Sequence, residues 1–149
     1  MSFNPIPKSV IALNTLGATN GASVTGNIDC VGYDYLVLDV YTSTVAAASN
    51  RPSTLKLSES DTTDATNFSD IAALVGDGTG GFTIPNWFTN TATQQCVKFC
   101  VDLRARKRYL KLTAVPRTTQ DVIAIANLMS PEVTPVNASA TNTLALVSA

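Results

Sequence analysis

The sequence contains no histidine, and only 14% of its 149 residues are charged. Without an imidazole the chain cannot form a Ser-His-Asp or Cys-His catalytic site, or a zinc site that needs a histidine ligand. Ordinary soluble domains have about 25% charged residues, so uncharged polar groups must supply most of this surface. The sequence therefore argues against an enzyme, and we expect no catalytic residue, cofactor or bound metal.

Long apolar segments are also missing. The longest run, residues 122–129, has eight residues and contains Asn127, whereas a membrane-spanning helix needs about 20. The first residues contain two prolines and no basic segment, so we expect no secretory signal and folding in a cytosol. The three cysteines form no CxxC motif. We expect free thiols, and a disulfide from Cys30 to Cys96 or Cys100 remains an alternative.

Apolar and polar residues alternate with a period of two in several segments, which predicts β-strands. The pattern is clearest at residues 35–41, 95–103 and 110–114. The basic segment 104–108 separates the last two, so we predict a β-hairpin with its charged tip in water. Weaker patterns predict further strands at residues 9–13, 24–30, 54–57, 82–84 and 122–128.

Two local signals modify this pattern. Asn67 can cap a short helix in which Ile71, Leu74 and Val75 share one face, and Gly76 would end it. Gly26 lies inside a predicted strand, which indicates a bulge or a close approach of another backbone segment.

Eight or so short strands, one short helix and no βαβ alternation predict an all-β fold. We expect a single antiparallel β-sandwich, either jelly-roll-like or Greek-key. The sandwich should cover residues 9–129. The proline-containing ends, residues 1–8 and 130–149, should form extended N- and C-terminal arms.

Three motifs match chemical signatures only formally. Residues 76–81 fit G-x-G-x-x-G, but Pro85 follows where a phosphate-binding helix should continue. Ser53 and Lys56 fit S-x-x-K, but a strand would place them on opposite faces. The acidic residues of the middle of the chain favour a solvated loop, with a structural cation as the alternative; they are Glu59, Asp61, Asp64, Asp70 and Asp77.

Charge is distributed unevenly along the chain. Eight of the eleven acidic residues lie between Asp29 and Asp77, whereas most basic residues follow position 97. A basic turn can meet nucleic-acid phosphates or an acidic patch on a protein partner. An overall pI near 5.2 and few neighbouring aromatic residues argue against nucleic acid.

The segments 28–35, 55–61 and 101–112 resemble small virion proteins of tailed bacteriophages, in particular capsid decoration (cement) proteins and other head-associated structural proteins. The resemblance implies a small β-domain that binds the major capsid protein on the outside of the head. It also implies a homo-oligomer, often a trimer, that reinforces the shell, and no catalytic residues.

On this hypothesis, the arms and the basic turn contact the partner. The expected contact residues are Phe3, Pro5, Pro7, Arg104, Arg106, Lys107, Arg108, Pro131 and Pro135. Two alternatives remain. A carbohydrate-binding β-sandwich would stack a sugar on Trp87, Tyr33 or Tyr35, and a tail or connector component would assemble into rings or tubes.

Overall fold

The computed structural model describes residues 7–43, 51–85 and 95–131, and in these ranges the chain is almost entirely β-structure. One 3-10 turn, Ala65–Asn67, is the only helical element of the described residues. The strands are β1 (Lys8–Ala18), β2 (Val24–Asp29), β3 (Tyr33–Thr42), β4 (Thr54–Ser60), β5 (Ser69–Val75), β6 (Gln95–Asp102), β7 (Tyr109–Val115) and β8 (Gln120–Pro131).

The strands form two four-stranded sheets that pack face to face. Sheet I has the order β1-β8-β3-β6, and sheet II has the order β2-β7-β4-β5. All neighbours are antiparallel, and β1 pairs with β8, β2 with β7, β3 with β6 and β4 with β5. The chain is thus one long antiparallel ribbon rolled into a sandwich, which is the jelly-roll arrangement. This confirms the predicted β-sandwich.

The hydrophobic core lies between the sheets and takes alternate residues from each strand. On β3 the side chains of Leu36, Leu38 and Val40 are fully buried, and β4 and β7 contribute two leucines each. Phe99 of β6 meets Phe82 edge to face, with 5.4 Å between ring centroids. Burying a leucine-sized side chain contributes about 1.5–3 kcal/mol, so the core supplies the main favourable free energy of folding.

The predicted hairpin between β6 and β7 is wrong. β6 pairs with β3 in sheet I, whereas β7 lies between β2 and β4 in sheet II. Residues 103–108 therefore cross from one sheet to the other at one end of the sandwich. Alternation along a strand indicates which side chains face inward, but it does not identify the neighbouring strand.

The predicted short helix is also wrong, because Ser69–Val75 forms the edge strand β5. Asp70 accepts hydrogen bonds from Lys56 Nζ at 2.8 Å and from Ser58 Oγ at 2.7 Å, both on β4. A helix would not hold Asp70 against two residues of a neighbouring strand. Asp64, not Asn67, supplies the cap, and it caps only the 3-10 turn.

Three other boundaries differ from the prediction. Residues 82–84 form no strand beyond an isolated bridge between Gly76 and Phe82. β1 begins at Lys8 and β8 continues to Pro131, so the sandwich extends slightly into both predicted arms. Residues 1–6 and 132–149 of those arms lie outside the described residues.

Gly26 marks a close approach between the sheets, as predicted. A Cβ atom at this position would lie 1.9 Å from the carbonyl oxygen of Ala12 on β1. Because two edge strands, β1 and β2, meet here, the glycine allows the sandwich to close along this side.

We expect Gly26→Ala to lower the free energy of unfolding by about 3 kcal/mol, because the new methyl group collides with a backbone oxygen that cannot rotate away. Urea unfolding followed by circular dichroism measures this effect. Asn27→Ala on the same strand is the matched control, since Asn27 is exposed, and it should change stability by less than about 0.5 kcal/mol. Equal stabilities of the two variants would contradict the close approach.

Candidate functional site

The most concentrated set of charged side chains lies where the chain crosses between the sheets after β6. We call this set the charged corner: Arg104, Arg106, Lys107 and Arg108, together with their acidic partners Asp29, Glu59, Asp61 and Asp102. Each of the four basic side chains forms an ion pair with one acid, so the corner as a whole is neutral.

Two arginines of the corner bind their partners through two nitrogens each. Arg108 Nε and Nη2 donate to the two carboxylate oxygens of Asp29 at 3.0 and 2.8 Å. The Arg108 guanidinium also lies 4.8 Å from the centre of the Tyr109 ring. Arg104 binds Asp102 through Nε and Nη2. Such two-point contacts fix the planes of both groups and are stronger than single contacts.

Glu59, at the end of β4, connects sheet II to the crossing segment. One carboxylate oxygen lies 3.4 Å from Arg106 Nη1, and the other accepts a hydrogen bond from the backbone N–H of Lys107 at 3.1 Å. The Glu59 side chain is only 17% exposed, whereas Asp61, 3.8 Å from Lys107 Nζ, is 72% exposed. Glu59 therefore helps to hold the crossing segment in place, whereas the exposed Asp61 contributes little to stability.

These contacts stabilise the charged forms of the acids. The hydrogen bonds from the Arg104 side chain lower the pKa of Asp102 from 3.8 to about 2. The Arg108 side chain likewise lowers the pKa of Asp29, and Lys56 lowers the pKa of Asp70. All three carboxylates are consequently ionised throughout the mildly acidic and neutral range.

The acidic residues of the middle of the chain do not form a cation site. Asp70 binds Lys56, Asp77 binds Arg51, and Asp64 caps the 3-10 turn through Thr66. Within residues 7–43, 51–85 and 95–131, no three cysteine, aspartate or glutamate side chains are placed to hold a metal ion.

The residues of the two formal motifs, S-x-x-K and G-x-G-x-x-G, form other contacts within the fold. Ser53 Oγ donates to the carbonyl of Val115, whereas Lys56 binds Asp70, so the serine and lysine do not form a reactive pair. Residues 76–81 form a loop that returns to the end of β5, where Asp77 N–H donates to the carbonyl of Phe82 at 2.7 Å. No helix follows this loop in the described chain.

Besides a cavity of about 320 Å³ beside Asp61 and Lys107, two open cavities flank the charged corner. One of about 450 Å³ lies between the β2–β3 turn and the crossing segment, and the four basic side chains of the corner line it. The other, of about 280 Å³, lies beside Tyr35, Asp34 and Arg104. Tyr35 is 36% exposed, whereas Tyr33 packs against the core. Both rings line an open cavity, Tyr33 the larger one and Tyr35 the smaller one.

The outward side of sheet I forms a second candidate surface, which we call the outer face. Its exposed or half-buried apolar residues are Ile11 on β1, Ile123, Ile125 and Met129 on β8, and Tyr35, Val37 and Tyr41 on β3. Ile11 is 70% exposed and lies opposite Ile125. Lys98 and Asp39 form an ion pair within this face, and Asp39 is almost buried. Ile11 and Tyr35 are the exposed apolar members of the outer face, and the others are half-buried. Large exposed apolar patches mark interaction surfaces.

The three cysteines are free, as expected. Cys30 is buried, and burial raises the pKa of its thiol to about 12. Cys96 and Cys100 are exposed on β6 and point outward from sheet I. The chain therefore has one inert and two accessible thiols.

The structure places the predicted contact residues in different settings. The four basic residues of the turn lie together at the corner, but each has an acidic partner in the same chain. Pro7 is exposed just before β1, and Pro131 is the last residue of β8, opposite Tyr33. The remaining predicted contacts, Phe3, Pro5 and Pro135, and the sugar-stacking candidate Trp87 lie outside the described residues.

Sequence comparison adds no relative to this description. No protein-family model matches the chain, and no curated protein matches it. Among the described residues, no helix is long and apolar enough to cross a membrane.

We expect Glu59→Ala to lower the free energy of unfolding by about 1–2 kcal/mol, because Arg106 and the Lys107 amide lose a charged acceptor. Chemical denaturation checks this. Asp61→Ala is the matched control and should have almost no effect, since exposed ion pairs contribute little. A larger loss for Asp61→Ala than for Glu59→Ala would contradict the assignment.

Acid should destabilise the protein in a defined range. The folded-state pKa values of Asp29, Asp70 and Asp102 lie below the ordinary value of 3.8, and that of Asp102 is about 2. Their contribution to stability is therefore complete above the unfolded-state pKa and is lost as the pH falls through the folded-state values. Melting temperatures should fall between about pH 4 and pH 2. Asp102→Asn should weaken this dependence, and an unchanged melting temperature down to pH 2 would contradict it.

Proposed function

We propose that this protein is a virion structural protein, a capsid decoration (cement) protein that binds the outside of an assembled phage head. The observation that supports this best is the outer face of sheet I, an apolar surface on a body whose charges are largely paired internally. A protein that works by contact needs such a surface, and it needs no reactive groups.

The fold is compatible with the proposal but does not decide it. Jelly rolls occur in viral capsid domains, in lectins and in cupins, and one fold supports many functions. The charge pattern is more informative. Seven of the ten basic residues pair with acids of the same chain. A surface whose cations are mostly paired offers few positive charges to nucleic-acid phosphates, which supports a protein partner over nucleic acid.

Attachment would stabilise the shell through mass action. A protein that binds the assembled head but not its separated subunits shifts the equilibrium towards the assembled form. Many copies, each with a modest binding free energy, add up over the particle. We place the main contact on the outer face around Ile11 and give the charged corner a minor part, because binding through the corner would require its internal ion pairs to separate.

Co-sedimentation with phage heads that lack the protein tests this proposal. Ile11→Asp should reduce attachment at least about tenfold, because it puts a charge into an apolar contact. The substitution should leave the fold intact, since Ile11 is 70% exposed. Val31→Asp changes a similarly exposed residue beside the corner, 59% exposed, and should have little effect. A larger loss of attachment for Val31→Asp than for Ile11→Asp would favour the charged corner as the contact.

Two further conditions sharpen the same experiment. Attachment should change little with salt, because apolar contacts are not screened; strong weakening by salt would favour the corner. Deletions of residues 1–6 and 132–149 leave all eight strands intact, so they test the predicted arm contacts without removing the sandwich. Full attachment by both deletions would eliminate the arms as contacts, and failure of the full-length protein to attach would contradict the proposal itself.

A carbohydrate-binding module is the second candidate, and one observation favours it. The exposed ring of Tyr35 lines a cavity together with Asp34, Asp102 and Arg104, a combination of a stacking surface and polar groups that suits a sugar. Glycan-array binding that Tyr35→Ala abolishes would support this alternative over the capsid proposal.

A further inference from the structure

The two sheets have four edge strands, and three of them are irregular, short or covered. β1 contains two register shifts, and Gly26 of β2 packs against it. β2 has six residues, and β5 pairs with β4 across a register shift. Irregular or short edges discourage pairing with a further strand.

β6 is the regular edge. It pairs with β3 at eight consecutive positions, from Gln95 to Asp102, without a register shift, and it contains no glycine or proline. Among residues 7–43, 51–85 and 95–131, no strand lies on its other side. Lys98 is the one basic side chain on this strand, and its charge would oppose pairing with a strand that places another cation beside it.

The hydrogen-bonding direction of β6 can be read from its end. The N–H of Leu103 donates to the carbonyl of Asp34, just beyond the paired part of β3. Backbone groups of an antiparallel strand point alternately to its two sides. The odd-numbered residues therefore bond to β3, and Cys96, Lys98, Cys100 and Asp102 direct their N–H and C=O groups to the open edge.

From this geometry we infer that β6 pairs with β6 of a second copy of this chain, antiparallel and centred on Cys100. The charged side chains favour this register over its neighbours. With Cys100 opposite Cys100 of the second copy, each Lys98 lies opposite an Asp102, so opposite charges meet on both sides of the centre. A register centred on Lys98 or on Asp102 would instead place like charges directly opposite each other, which is destabilising.

The charges next to the junction continue this complementarity. Lys98 already binds Asp39, and Asp102 already binds Arg104. Across the contact between the two β6 strands, the charged side chains would follow in the order Asp39, Lys98, Asp102 of the second copy and Arg104 of the second copy. Their charges alternate in sign. The two copies would share one eight-stranded sheet with a continuous outer face. The contact closes after two copies, so it predicts a dimer where the resemblance implies a trimer.

Thiol cross-linking tests this register. Cys100 residues in a hydrogen-bonded pair have Cα atoms about 5.5 Å apart, within the range of about 4.4–6.8 Å that disulfides span. Mild oxidation of Cys96→Ser with diamide should therefore give a covalent dimer. In Cys100→Ser, the two Cys96 residues are eight positions apart along the ladder, roughly 27 Å, and should not cross-link.

Light scattering after size-exclusion chromatography provides the second measurement. The untreated protein should have twice the chain mass of 15.7 kDa. Cys100→Lys should have the mass of a single chain, because two lysines would face each other at the centre, while its melting curve remains cooperative. Three outcomes would each overturn the inference. The wild type could be monomeric at all soluble concentrations, it could be a trimer without the Cys100 cross-link, or Cys100→Lys could keep the mass of the dimer. Capsid attachment is a separate question, since a dimer that ignores phage heads would contradict only the proposed function.

Discussion

Backbone pairing between the two halves of the chain is the constraint on which the rest of the structure depends. β1 pairs with β8, and each later pair lies one step further towards β4 and β5. This ribbon can roll up only if the same face of every strand is apolar, because that face becomes the space between the sheets. The leucines of β3, β4 and β7 meet this requirement. The charged corner lies where the chain crosses between the sheets after β6, and the outer face is the outward side of sheet I.

The rolled ribbon also explains why the charged corner is neutral. Arg108 and Asp29 are 79 residues apart in the sequence, and Arg106 and Glu59 are 47 apart, yet both pairs lie at the same end of the sandwich. There the crossing segment passes the ends of β2 and β4. Acids from these strands compensate the basic segment, and the resulting ion pairs orient the crossing segment.

The sequence predicts local features of this fold well and nonlocal ones poorly. β3, β6 and β7 alternate with a period of two and are strands, and Gly26 is a close approach, because both signals depend on neighbouring residues. Residues 69–75 are a short apolar run that fits helix and strand equally, and pairing with β4 decides between them. The partner of β6 and the acids that neutralise the corner are nonlocal, so no pattern within 95–108 could identify them. The outer face was missed because β8 is apolar on both sides.

Cys30 gives the chain a property that its other thiols lack. Thiol–disulfide exchange requires a thiolate, and burial raises the pKa of the Cys30 thiol to about 12, so this sulfur stays protonated at neutral pH. The covalent structure of the interior is therefore indifferent to the redox state of its surroundings. If the protein passed from a reducing to an oxidising environment, its core would stay the same. Of its three thiols, only the exposed Cys96 and Cys100 would be open to oxidation.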